Sequence, residues 1–291
     1  MTITRDSLIS IRFFACVDAK EDYVEMAWRY LVSMVIMCMV IHCSITSPTT
    51  NKSSSTVAID HQRQNCSNEK TLCVLCFGDS ITQGFYGFNG IFHPYTISLR
   101  AHLAQKYPDV YIRIFTRGLG GDMVHGKMKE RLERELSREN FDIVLIMAGI
   151  NDLVKLTYEI NQDLFEEILD LHQMALDHGA LRTLAMTMLP ARPAPNKVKF
   201  LPTNVFEALR IQTNAKIRSI TLTNSTNEIS VCDTETCFPP QYYGSYYWQP
   251  DHVHPSPIGY DVLGKCIFSC LVGEVDFLLD VKELNRILEI V

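Results

Sequence analysis

The chain has 291 residues, 47% hydrophobic and 21% charged, with a formal net charge of -6 and a sequence pI near 5.8. This composition excludes wholesale disorder and supplies enough apolar side chains for a sizeable buried core. The acidic balance argues against nucleic acid as a partner, because phosphate backbones select basic faces.

In chain order, residues 1–43 read as a prefix. From Met26 the order is Met-Ala-Trp-Arg, then residues 30–41 with almost no charge, then His-Cys-Ser-Ile-Thr-Ser. A basic start, an apolar stretch of about a dozen residues and a small polar exit describe a secretory signal peptide. The stretch is shorter than the ~20 residues that a spanning helix requires. Asp18, Glu21, Asp22 and Glu25 precede it, an unusual lead for a signal, so a start placed too early and a signal anchor both stay open. A cleaved signal implies a secreted or secretory-lumen protein, whereas retention implies membrane association through residues 30–45. The structural alternative is a buried helix of the domain. Residues 44–70 are rich in Ser, Thr, Asn and Lys and read as a polar linker. The linker contains the N-glycosylation acceptors Asn51-Lys52-Ser53 and Asn65-Cys66-Ser67, and Asn224-Ser225-Thr226 is a third.

From residue 71 to 291 apolar, β-rich runs alternate with helical patterns, the signature of β-α units around a mainly parallel sheet. Strands are expected at 72–77, 110–115, 143–147, 182–188 and 229–232. The run Ile143-Val144-Leu145-Ile146-Met147 is apolar without alternation, as in a strand covered on both faces. Pro94 suits the first turn of a helix over 95–107. Asn161 caps a segment that places Leu164, Ile168, Leu171 and Ala175 on one face, and Gly179 closes it. The tail from residue 276 places Phe277, Val281, Leu284, Leu288 and Val291 at spacings of four and three, predicting an amphipathic helix docked on its own domain.

Of the ten cysteines, Cys232 and Cys237 bracket a short loop and are the best disulfide candidates. Cys266 and Cys270 share a helix face at i, i+4, where apolar packing is expected. Cys73 and Cys76 lie on opposite faces of a strand, which excludes a zinc pair.

Four separate segments carry chemistry. Gly78-Asp79-Ser80-Ile81-Thr82 follows the first buried strand and places Ser80 at a strand's carboxyl end, where ligand crevices form in open parallel sheets. Thr82 stands where a Gly-x-Ser-x-Gly elbow has its second glycine, so that motif is absent. Gly118-Leu119-Gly120-Gly121-Asp122 follows the second strand, and its glycines allow a backbone N–H to face the crevice. Gly149-Ile150-Asn151-Asp152 follows the strongest core strand, and the Asn151 amide donates a hydrogen bond without a charge. In Asp251-His252-Val253-His254, the spacing of three lets one turn return the His254 imidazole to the Asp251 carboxylate. His252 is the competing base and is wrongly placed for that loop. Each motif alone has a bland reading as a turn or cap. Together and in this order they supply a nucleophile, oxyanion donors, a base and an orienting acid.

The order and spacing of these segments resemble the SGNH (GDSL-type) hydrolase family from about Thr71 to Cys270. The resemblance implies a three-layer α/β/α sandwich with a mainly parallel, flavodoxin-like sheet. It implies a serine esterase working through an acyl-enzyme, with Ser80 as nucleophile, His254 as base and Asp251 as its orienting acid. The implied oxyanion donors are the Ser80 N–H, the Gly121 N–H and the Asn151 amide. The glycine block departs from the family's commoner form: it lacks a preceding asparagine and carries Arg117 nearby, so Gly120 remains an alternative donor. No cofactor is required and no metal site is recognisable, since Asp251, His252 and His254 are too crowded for mutual ligation. The expected partner is a small-molecule or glycan ester. A carbohydrate O-acetylesterase and a lipid or thioester hydrolase both fit, and an inactive glycan- or ligand-binding protein on the same fold is the rival of another class. Phe238, Tyr242, Tyr243, Tyr246, Tyr247 and Trp248 precede the His254 loop and would either wall an acyl or sugar site or pack the loop itself.

Overall fold

The computed structural model describes residues 71–87, 90–155, 164–192, 203–223, 228–240 and 246–290. All belong to one compact unit, Arg63–Val291. The prefix, the linker with Asn51 and Asn65, the acceptor Asn224, and Asn161, Tyr242 and Tyr243 lie outside the described residues.

Strand β1 (Thr71–Gly78) is buried along its whole length, and its run Leu-Cys-Val-Leu-Cys-Phe has no polar position to turn to water. The short helix α1 (Ser80–Gln83) follows at once, started by Asp79, whose carboxylate accepts from the Ile81 N–H at 2.9 Å. A small hairpin, β2 (Phe85–Tyr86) and β3 (Ile91–Phe92), leads into α2 (Thr96–Lys106). Strand β4 (Tyr111–Gly118) runs three residues beyond the expected end and takes in Arg117 and Gly118. A wide turn (Val124–Met128) then opens α3 (Lys129–Leu136). Next come β5 (Ile143–Met147), α4 (Ile150–Lys155), α5 (Leu164–Asp177), β6 (Arg182–Met186), α6 (Thr203–Thr223), β7 (Ile229–Cys232), α7 (Thr234–Cys237) and α8 (Pro257–Ile290).

The five long strands form a parallel sheet in the order β4-β1-β5-β6-β7. Counting only these strands, the order is 2-1-3-4-5, that of a flavodoxin-like doubly wound sheet. Helix α2 packs on α8, and α5 packs against α3 and α6, completing the helical layers that flank the sheet. The register fixes the site. Gly78 pairs with Gly118 on one side and with Met147 on the other, so three adjacent strands end level along one edge.

Two expectations need correction. The tail from residue 276 is helical as the end of a longer element, and the apolar stripe expected to dock is not the docked one. Helix α8 is continuous over 34 residues, and its docked stripe is Leu263, Ile267, Leu271, Val275 and Leu278. Phe277, one residue and about 100° away from Leu278, is 44% exposed, and Leu284 and Leu288 are 56% and 64% exposed. The phase is set at the start of the helix, twenty residues before the tail pattern begins. Among the described residues, no helix is long and apolar enough to cross a membrane.

The cysteine pairing also differs. Cys232 bonds to Cys270 and Cys237 to Cys266. The end of β7 and the helix α7 both lie against α8, and two cysteines one helical turn apart receive them. Cys73 is also disulfide-bonded, whereas Cys76 is a buried free thiol.

Candidate active site

Three strand ends and one loop build the site. At the end of β1, Gly78 approaches Thr82 and the Met147 carbonyl so closely that a Cβ would sit 2.4 Å from either, which leaves room only for glycine. Ser80 then opens α1 with its N–H in the first helical turn, where no intrahelical partner exists. The Ser80 side chain faces His254, with Oγ 2.8 Å from Nε2. On the other side of the ring, Nδ1 lies 2.6 Å from Asp251 Oδ2. The second carboxylate oxygen of Asp251 accepts the backbone N–H groups of Val253 and His254, both at 3.0 Å. Burial pushes the Asp251 carboxyl up, but the ring of His254 and these two N–H groups outweigh it and hold the pKa at about 2. His252 is exposed, at a left-handed φ of 58°.

The two glycine N–H groups of the turn differ in what they meet. The Gly120 N–H donates to Gln83 Oε1 at 2.9 Å and is therefore spent. Gly121, at φ +74°, has no hydrogen bond to its N–H among the described residues. Gly118 is needed because a Cβ there would stand 2.0 Å from the Gln83 backbone nitrogen. Asn151 stands in the first turn of α4, and its Nδ2 donates to the Asp122 carbonyl at 2.9 Å. That bond fixes the amide's orientation and leaves its second N–H available.

Further residues support the site, some of them, such as Arg131, without a signal in the sequence. Arg131 donates to Asp122 Oδ2 at 2.8 Å, to the Arg117 carbonyl at 2.9 Å and to the Gly78 carbonyl at 2.6 Å, with its guanidinium 3.9 Å from the Phe77 ring centroid. One side chain thus ties the glycine turn to the residues just before the serine. Asp152 accepts from the N–H groups of Val124 and His125 and holds the start of the turn into α3. Phe85 packs its ring 4.9 Å from that of His254. Asp79 is buried, with one carboxylate oxygen unpartnered, and desolvation raises its pKa to about 7 despite the Ile81 N–H. In the aromatic segment, Phe238 and Trp248 are buried edge-to-face at 5.0 Å and Trp248 donates to the Pro239 carbonyl, so these two pack the loop. Among the described residues no cluster of metal-ligating side chains occurs.

A parallel α/β sheet with a serine at one strand end, in hydrogen-bond contact with an imidazole and a carboxylate from a loop, is an arrangement that hydrolytic enzymes use on several folds. The sequence model of the GDSL-like Lipase/Acylhydrolase family matches residues 76–262, and the chain belongs to that family. It is accordingly a hydrolase of ester bonds. No curated protein sequence matches the chain. Among solved structures, a lipolytic G-D-S-L family protein from Veillonella parvula is 16% identical, with a TM-score of 0.54, covering 69% of this chain and 98% of that one. The lipase/acylhydrolase from Enterococcus faecalis is 21% identical, with a TM-score of 0.53, covering 70% of this chain and 96% of that one. A variant of an acetyl xylan esterase from Geobacillus stearothermophilus is 21% identical, with a TM-score of 0.52, covering 69% of this chain and 96% of that one. At these identities the likeness is one of fold.

Proposed function

We propose that the protein is a serine esterase that cleaves carboxylic esters through an acyl-enzyme, with Ser80, His254 and Asp251 as its triad. The observation that carries this reading is the continuous contact from Ser80 Oγ through the His254 ring to Asp251, at 2.8 and 2.6 Å. Ser80 Oγ attacks the ester carbonyl while His254 Nε2 takes its proton. Asp251 keeps the Nδ1 proton in place and stabilises the imidazolium. Negative charge on the carbonyl oxygen is met by the Ser80 N–H, the Gly121 N–H and the free N–H of Asn151, each such donor being worth roughly 3 kcal/mol. His254 returns the proton to the leaving alcohol, then takes one from water as it attacks the acyl-enzyme, and Ser80 is regenerated.

The substrate is a small-molecule or glycan ester. The acetyl xylan esterase among the structural neighbours puts acetylated sugars first in a substrate screen, with long-chain acyl esters as the comparison. The disulfides, Cys232–Cys270 and Cys237–Cys266 among them, favour an oxidising compartment and, with the apolar run at 30–41, support a place in the secretory pathway. The test is labelling with a fluorophosphonate. The wild type should label at Ser80 and hydrolyse short p-nitrophenyl esters, and Ser80→Ala should do neither. A Ser80→Ala protein with full esterase activity would refute the assignment, and a folded wild type inert to both reagents would favour a binding protein.

A further inference from the structure

We infer that Gln249 is a positioning residue for His254, clamping the loop that carries the base to the hairpin that follows the nucleophile. The inference rests on the triad reading above. Gln249 is a buried polar side chain, 8% exposed, and every hydrogen-bonding group described for it is engaged. Its Nε2 donates at 2.8 Å to two carbonyls, that of Phe85 on the hairpin and that of Pro255 just after His254. Its Oε1 accepts the Gly87 N–H at 3.0 Å. Its backbone N–H donates to the His254 carbonyl at 2.9 Å, and its own carbonyl accepts the His252 N–H at 3.0 Å.

The geometry matters because His254 is not held by the sheet. Ser80 stands rigidly at the end of β1. His254 reaches it from a loop 174 positions away, and the internal bonds of that loop to Asp251 fix the ring's orientation but not its distance from Ser80. The Arg192 N–H ties the loop to the segment after β6 through the His252 carbonyl at 3.0 Å, and Gln249 provides the cross-link to the side of Ser80. One amide grips both the base loop and Phe85, whose ring packs against the imidazole. Tyr260 braces the same Phe85 carbonyl at 3.1 Å from the start of α8. A planar amide with two donors and one acceptor spans three backbone groups at once, and no aliphatic side chain of its length can do so. Displacement of a reacting group by about 1 Å costs up to about 100-fold in rate.

The test is Gln249→Met, which keeps length and bulk and removes all three side-chain bonds. Competent sites are counted by fluorophosphonate titration, and kcat and KM are measured on p-nitrophenyl acetate. The expected result is kcat per titrated site lowered about 10- to 100-fold, with KM within about threefold. The low-field proton resonance of the His254–Asp251 pair should persist, since that contact lies within the loop. A merely structural role would lower yield or Tm and leave kcat per titrated site unchanged, and that result would overturn the inference. If Gln249→Met does not fold, Gln249→Asn, the same amide one methylene too short to span both carbonyls, decides by the same two outcomes. Failure of the triad reading is distinguishable, because the wild type itself would then not label.

Discussion

Replacing Asp251 by Asn tests the triad most sharply, because the structure dictates which way the new amide must face. One oxygen of Asp251 receives two backbone N–H bonds, and the other meets His254 Nδ1. An amide has one oxygen and one NH2 to distribute between these positions. Turning the NH2 towards the Val253 and His254 N–H groups forfeits two hydrogen bonds and sets donor against donor, a cost of about 2–4 kcal/mol. The oxygen therefore stays on the backbone and the NH2 faces Nδ1, which must then accept. The ring proton moves to Nε2 and points at Ser80, so the base is already occupied. We expect kcat on p-nitrophenyl acetate to fall by about 10³–10⁴, or about 4–5.5 kcal/mol of barrier, with the fold intact by circular dichroism. Since Asp251 is held at about 2, it stays ionised throughout the working range, and the acid limb of the wild-type pH profile belongs to another group. A folded Asp251→Asn protein within tenfold of wild-type activity would refute the tautomer argument.

Three further outcomes follow from the same geometry. His172 is fully buried with neither ring nitrogen partnered, and burial lowers its pKa to about 3. Below about pH 6.5 the unfolded chain binds a proton that the native state refuses. Stability is therefore lost as the pH falls through that window, by roughly 3 kcal/mol at pH 4.5. His172→Leu should regain that amount relative to wild type between pH 7.5 and pH 4.5 in urea unfolding, and an equal difference at both pH values would contradict it. Replacing Cys232 and Cys270 together by Ala, with the nested Cys237–Cys266 bridge intact, releases a ring of only about ten residues and should cost about 3 kcal/mol, read from the urea midpoint. Arg131→Lys gives up the fork that joins Asp122, Arg117 and Gly78 and should lower kcat about tenfold while Ser80 still labels. Unchanged kcat would show that the glycine turn holds itself.

What could be read from the sequence was whatever is local or set by a period. The five strands and the parallel sheet follow from unbroken apolar runs such as 143–147, and Ser80, Asn151 and the Asp251–His254 pair follow from short motifs whose parts lie within a few residues. The tail of α8 was misread because a stripe of apolar residues has no absolute phase. Leu263 and Ile267 set which side docks, and the pattern from Phe277 onwards is one residue out of step with them. The disulfides were misassigned for a related reason. Proximity in sequence favoured Cys232 with Cys237, but both face α8, and Cys266 and Cys270 are nearer in space. Arg131, Gln83 and Phe85 had no signal at all. Arg131 meets Gly78 across 53 positions, and only the finished packing selects it from the basic residues of α3.

The two halves of the site are held by different means. Ser80, Gly121 and Asn151 each follow the carboxyl end of a sheet strand, and the level register of Gly78, Gly118 and Met147 brings them together, with Arg131 tying the glycine turn back to Gly78. The N–H groups that would meet an oxyanion are therefore placed by the same hydrogen bonds that make the fold, and cost no reorganisation when charge develops. His254 and Asp251 have no such frame. They sit on a loop between Trp248 and α8 whose placement depends on the buried Trp248, on carbonyls gripped by side chains, and on a helix stapled to β7 and α7 by two disulfides. Cys266 and Cys270 anchor α8 only a few turns beyond His254. These cross-links hold the helix from whose first turn the loop carrying His254 departs.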